Sequence, residues 1–206
     1  MKKKYSLKEK KEIEKSIKLS EFQKQPFSKQ IDQYMNNSQH NNENFYLGVT
    51  PKILINNGTI NHKLVMSQKV FEKITRTKSG HHIPVDTISN IYKFIESPLL
   101  LFKGNAENTL VEIIKLKDDS NREILVAIRL DAKEVYMNVS RITSIYGKKR
   151  LTNFITNQNH KIIDVYNEKK TSRWLVNRGR QLSKFPSTNN LSYKYIICLK
   201  NKKSNK

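Results

Sequence analysis

The stretch Leu110-Val111-Glu112-Ile113-Ile114-Lys115-Leu116-Lys117, then Asp118-Asp119-Ser120-Asn121, then Glu123-Ile124-Leu125-Val126-Ala127-Ile128-Arg129-Leu130, decides the fold. Two runs rich in Ile, Leu and Val flank a cluster of turn formers, which predicts an antiparallel β-hairpin. Working outward, Leu99–Lys103 is a strand candidate before it, and Val135–Ile145 carries the β pattern on after it. Further strand candidates are Lys161–Tyr166 and Tyr193–Leu199. The first half reads differently. Leu64-Val65-Met66 enters a helix with Ser67 as its N-cap, and Val70, Phe71 and Ile74 share one face of that helix. Gly80-His81-His82-Ile83-Pro84 interrupts it, because the residue before a proline is pushed out of helical geometry. A second helix opens at Val85 or Asp86, repeats apolar side chains at Ile88, Ile91, Tyr92 and Ile95, and stops at Ser97-Pro98. Leu151–Asn157 reads as a short helix after Gly147, and Thr171–Leu182 as a polar helix or loop. Helices come first and an antiparallel sheet follows, which is an α+β plan of helices packed on a sheet.

Residues 45–200 therefore form the expected domain. Residues 1–44 read as a basic helical arm ending in the Asn-rich linker around Asn36-Asn37-Ser38-Gln39-His40-Asn41-Asn42, and 201–206 as a basic tail. The longest apolar runs fall far short of the roughly 20 residues that span a bilayer, and no signal-peptide pattern opens the chain. A cytoplasmic protein without membrane partners is the expectation. With Cys198 the only cysteine, an intrachain disulfide is excluded, and Cys198 reads as a buried, inert strand residue.

Of 206 residues, 39 are Lys or Arg and 18 are Asp or Glu, a formal net charge of +21. The excess is uneven: +4 over 1–45, +3 over 46–140 and +14 over 141–206. Acidic residues after Glu134 are limited to Asp164 and Glu168, so the last third should project a positive field onto a polyanion. A nucleic acid is the expected partner, with a merely solvated basic surface as the alternative. No histidine or carboxylate spacing suggests a metal site, and scarce acids argue against a two-metal nuclease, so neither metal nor cofactor is expected.

Were the nucleic-acid partner an RNA that is cut without a metal, the chain would need a group to take the 2′-hydroxyl proton, a cation for the crowded phosphorane and an acid for the leaving oxygen. Histidine serves either proton role. Only His81 and His82 are adjacent, in a loop forced by Gly80 and Pro84, so His82 is the first catalytic candidate and His81 the second; a turn or surface pair is the alternative. Ser144 and Tyr146 share a face by the two-residue strand period, with Ile145 toward the core and Lys148 close by, and they would line a site edge. Arg141 falls on the opposite face if that strand is regular. Around Trp174, the only tryptophan, Arg173, Arg178 and Arg180 cluster. Arg173 with Thr171 would contact phosphate, and Trp174 would either receive a base or fill the core.

The order His81-His82-Ile83-Pro84, Ser97-Pro98, Ser144-Ile145-Tyr146-Gly147-Lys148, Thr171-Ser172-Arg173-Trp174-Leu175 and Gly179-Arg180-Gln181-Leu182 resembles the C-terminal domain of phage MuF-type proteins. That domain is grouped with the barnase, EndoU, colicin and RelE-like nucleases. The resemblance spans about 45–200 and leaves the N-terminal arm unmatched. It implies helices on an antiparallel sheet and a metal-independent, toxin-like ribonuclease of phage or mobile-element origin. RNA is the partner this implies; a nucleic-acid-binding module of the same fold without catalysis, or an interaction protein docking on an acidic immunity or antitoxin protein, is compatible with the same residues.

Overall fold

The structure, a computed structural model, describes residues 25–36, 44–76, 82–134, 137–157, 161–186 and 193–199. His81, residues 1–24, the linker 37–43, the tail 201–206 and the side chain of Cys198 lie outside the described set. The elements run α1 (Phe27–Asn36), β1 (Asn44–Val49), α2 (Lys52–Asn56), β2 (Lys63–Ser67), α3 (Gln68–Thr75), α4 (Val85–Ser89) and α5 (Ile91–Ile95). There follow β3 (Leu100–Lys103), β4 (Thr109–Lys117), β5 (Glu123–Glu134), β6 (Met137–Gly147), α6 (Leu151–Asn157), β7 (Ile162–Asp164), α7 (Glu168–Val176), β8 (Arg180–Pro186) and β9 (Tyr193–Leu199). The expected α+β architecture is present.

Seven strands form one sheet in the order β1-β2-β6-β5-β4-β3-β7, and β8 and β9 form a separate hairpin. All neighbours are antiparallel except β2 and β6, whose parallel pairing the chain reaches only after the helices and three intervening strands. β5 alternates between two cores. Ile124, Val126 and Ile128 join Phe71, Ile83, Ile88, Ile91 and Ile95 of the helical layer. Leu125 points the other way, into a second core with Leu151, Ile155, Leu175 and Ile197. A strand covered on both faces must read as an unbroken apolar run, which is how Ile124–Ile128 reads.

Three local features depart from the expectations. First, α1 belongs to the fold although its sequence lies in the stretch read as an arm. Phe27 and Ile31 are buried, and Gln30 exchanges hydrogen bonds with the backbone of Tyr46, giving 2.9 Å to its carbonyl and receiving 2.9 Å from its N–H. Edge-to-face contacts tie Phe27, Tyr34, Phe45 and Phe71 together. Second, the helix expected over 85–95 breaks at Asn90 into α4 and α5. Third, the segment Thr171–Leu182 is split: α7 ends at Val176, Gly179 turns the chain with φ +65°, and β8 begins at Arg180.

The Ser67 cap forms as expected, its side chain accepting the Val70 N–H at 3.3 Å. Asn57, in the connection between β1 and β2 at one edge, donates at 2.7 Å to Asp164 of β7 at the opposite edge, across the helical face.

Candidate active site at the hairpin end of the sheet

The β4–β5 turn is built around Asp118. Its carboxylate accepts from the backbone N–H groups of Ser120 and Arg122, both at 3.0 Å, and from Arg122 Nε at 2.7 Å. Burial pushes the Asp118 carboxyl up, yet the hydrogen bonds and charge of Arg122 outweigh that and hold it below the usual carboxylate range. Gly147, at the end of β6, lies against this carboxylate. A Cβ there would stand 1.9 Å from Asp118 Oδ2, so the glycine of Ser144-Ile145-Tyr146-Gly147 serves a close approach of backbone to side chain.

On the helical side of the turn, His82 Nδ1 meets the Asp119 carboxylate, and the Asp119 N–H donates to the His82 carbonyl at 3.2 Å. Ile83, the next residue, is fully buried and donates its N–H to Ile74 at 2.9 Å, which fixes the loop that carries His82. With Nδ1 held by a carboxylate, Nε2 is the nitrogen available for proton exchange. The ring is partly open to solvent, its side chain 23% exposed.

On the other side, Lys148 donates its N–H to Glu123 at 2.9 Å, and its ammonium lies 5.1 Å from the Phe154 ring and 5.9 Å from the Tyr146 ring. Among the described residues Lys148 makes no ion pair. Glu123 takes an ion pair from Arg178, whose guanidinium stacks 4.3 Å from the Trp174 ring. Burial raises the Tyr146 phenol and lowers the Arg178 guanidinium from their ordinary values. From His82 through Asp119, Asp118, Gly147 and Glu123 to Arg178 and Trp174, the contacts run unbroken around one hairpin.

The residues expected from sequence divide accordingly. Lys148, Tyr146, Trp174 and Arg178 come together, and His82 reaches the same turn from its other side. Trp174 is half-buried against the second core, and Arg178 already occupies one face of its ring. Thr171 is not a phosphate contact: it is 1% exposed, and its hydroxyl donates to the Leu99 carbonyl at 2.7 Å, pinning α7 to the start of β3. Arg173 is exposed on α7, on the sheet face opposite the helices that carry His82, and does not join the histidine. Arg180 opens β8 opposite Leu199. Ser144 pairs with Ala127, on the Tyr146 face. A bulge at Thr143, whose hydroxyl donates to the Ala127 carbonyl at 3.1 Å, shifts the strand phase. Arg141, opposite Arg129, therefore lies on the same face as Ser144 and not on the opposite one.

Sequence reading missed Asp119, Glu123 and Phe154. Asp119 lies in the turn that decided the fold, 37 residues from its histidine, so no local spacing signals the pair. Among the described residues no group of three or more His, Cys, Asp or Glu could hold a metal ion, and no helix is long and apolar enough to cross a membrane.

Residues 72–173 match the phage MuF C-terminal domain. Neither the curated proteins nor the solved structures gave a match to the chain. The MuF-like span begins within α3 and ends within α7, so it holds His82, the whole β4–β5 turn, Glu123, Tyr146 and Lys148. It stops one residue before Trp174 and leaves out α1, β1, α2, β2 and the β8–β9 hairpin. The match associates this part of the chain with phage.

Proposed function

We propose that the chain is a metal-independent ribonuclease domain of phage or mobile-element origin, with His82 as its proton-transfer group. The observation that carries this reading is the pairing of His82 Nδ1 with the Asp119 carboxylate at a sheet end that also gathers Lys148, Tyr146, Arg178 and Trp174. Asp119 orients the ring, while Nε2 takes the proton from a ribose 2′-hydroxyl. The oxygen then attacks the adjacent phosphorus, and the P–O5′ bond breaks as the 5′-oxygen takes a proton from solvent water, giving a 2′,3′-cyclic phosphate end and a 5′-hydroxyl. Lys148, held over two aromatic rings, supplies the cation for the phosphate. Tyr146 and the exposed part of Trp174 offer surfaces for neighbouring bases. The +14 carried by residues 141–206 supports a polyanionic substrate.

One observation favours a second reading. The turn stands between His82 and the Lys148 group, and the cation on α7 that was expected to complete the site, Arg173, lies elsewhere. That geometry also suits a domain that holds RNA without cutting it. Incubating the full chain with RNA in EDTA at low salt, beside His82→Ala, separates the two. The nuclease reading expects cyclic-phosphate fragments from the unaltered chain and none from the variant. Intact RNA with shifted mobility would leave only the binding module.

A further inference from the structure

Away from the hairpin end, an open cavity of about 290 Å³ lies between α2 and the segment that follows β7, lined by Lys52, Ile53, Asn56, Asp164, Val165 and Tyr166. Its walls come from the β1–β2 connection and from the β7 edge of the sheet, two segments more than a hundred residues apart in the chain. We propose that this cavity binds a nucleotide whose base carries an exocyclic amine. The inference rests on the nucleic-acid reading above for the source of its ligand, but not on cleavage.

The volume lies at the low end of the roughly 300–1,000 Å³ typical of ligand pockets, enough for one planar ring and not for a longer ligand. Ile53 and Val165, 6% and 7% exposed, supply an apolar floor. Tyr166, at 53% exposure, is one of the few large hydrophobic side chains left open to solvent and gives the cavity an aromatic wall. Asp164 sets the chemistry. Its Oδ2 accepts from Asn57 Nδ2 at 2.7 Å and its Oδ1 from the Val165 N–H at 2.7 Å, and Asn57 is itself held by the Ile53 carbonyl at 2.8 Å. The carboxylate is thereby fixed in place, and each oxygen keeps a lone pair. An ionised carboxylate only accepts, so it calls for a ligand edge that donates.

Adenine, cytosine and guanine present an amine there. Uracil offers a single N–H flanked by two carbonyls, which would face the carboxylate unfavourably. Asn56 adds an amide that can give or take the neighbouring bond, and Lys52 at the rim meets the nucleotide phosphate. A cationic peptide side chain is disfavoured by Lys52 in the same cavity and by the +21 of the chain.

The test is equilibrium dialysis of the full chain against AMP, CMP, GMP, UMP and inorganic phosphate, with oligouridine carrying or lacking one adenosine to tell a base in RNA from a free nucleotide. The three amino-bearing nucleotides should each bind about tenfold tighter than UMP or phosphate, one good base contact being worth about that factor. Tyr166→Ala should weaken them by about tenfold, the value of one base–aromatic stack, while thermal unfolding is unchanged. Asp164→Asn should bring UMP level with the others. Equal binding of all four nucleotides, no binding at millimolar concentration, or indifference to Tyr166→Ala would overturn the proposal. His82→Ala should bind these nucleotides as the unaltered chain does, so loss of cleavage and loss of this site read out separately.

Discussion

Two histidine–carboxylate pairs stand at opposite ends of β5, and only one has a site around it. His82 meets Asp119 at the hairpin end. His62, just before β2, has its Nε2 2.9 Å from Asp131 Oδ1 near the far end of β5. The second pair is a close approach without a formed hydrogen bond at His62 Nε2, but its backbone is the more tied down. Asp131 accepts from Thr59 at 3.2 Å, and it sits in a left-handed backbone conformation, φ +50°, at a bulge in β5. The His62 carbonyl takes both the N–H and the hydroxyl of Thr50, at 2.7 and 3.0 Å. These bonds all tie the β1–β2 connection to the end of the sheet. At the hairpin end, by contrast, the pair stands across the β4–β5 turn from Lys148 and Arg178, each stacked on an aromatic ring. The same two side chains serve as a clamp in one place and as a candidate acid–base group in the other, and the neighbours make the difference.

The largest effect should come from breaking each pair in turn. His82→Ala should lower RNA cleavage by about 10²–10⁴-fold, the contribution of a positioned acid–base group. His62→Ala should cleave at the normal rate and unfold at a lower temperature. Initial rates on one RNA with a melting curve for each variant decide the matter; equal rate losses would erase the distinction between the two ends. Asp119→Asn comes next. Removing the charge that orients the ring should cost about 10²-fold in rate, of the order seen when a reacting group is misplaced by an ångström, with little change in RNA affinity. The matching change, Asp131→Asn, should move the melting temperature and leave the cleavage rate alone.

The hairpin was legible in the sequence because both of its strands are long, apolar and separated by turn formers, so local signals and the final structure agree. The Ser67 cap and the Leu151–Asn157 helix were legible for the same reason. The parallel β2–β6 pair was not, since nothing local in Lys63–Ser67 records a partner more than seventy residues away. Nor was the Thr143 bulge, which leaves no compositional mark yet moves Arg141 to the Ser144 face. Within the site, His82, Tyr146, Lys148, Trp174 and Arg178 could be singled out by residue type. Thr171 was misread because a hydroxyl beside an arginine looks the same whether it meets a phosphate or the Leu99 carbonyl. Asp119 was missed because its role exists only once the turn and the His82 loop meet.

A third acid sharpens the comparison by having no histidine. Glu112 of β4 lies opposite Leu101 and Val126, is fully buried in the helical core, and has no hydrogen-bond partner at either carboxylate oxygen among the described residues. Burial raises its carboxyl well above the ordinary value, so it is kept protonated in the fold. The sign is opposite to that of Asp118. Above roughly pH 4.3 the unfolded chain gives up this proton while the folded chain keeps it, so stability falls by about 1.4 kcal/mol per pH unit until the folded carboxyl itself ionises. Glu112→Leu should abolish that slope and raise stability by about 1–3 kcal/mol near neutral pH, the cost of an unsatisfied buried polar group. Urea unfolding at pH 5 and pH 8 measures both. An unchanged slope would mean that Glu112 is solvated or paired in the folded protein.

The smallest effect belongs to Lys148, and it tests whether the hairpin end is basic in function as well as in composition. Its ammonium rests on Phe154 and Tyr146 and makes no ion pair among the described residues, so phosphate is its natural partner. Lys148→Ala should weaken RNA binding uniformly across sequences and make the slope of log affinity against log salt shallower by about 0.7, the share of one released counterion on a single strand. Lys63→Ala, at the His62 end where burial already lowers the lysine, should leave that slope unchanged. If both variants lowered it equally, the charge would act as a diffuse field over the whole molecule, and the hairpin end would lose its claim to be the place where RNA is held.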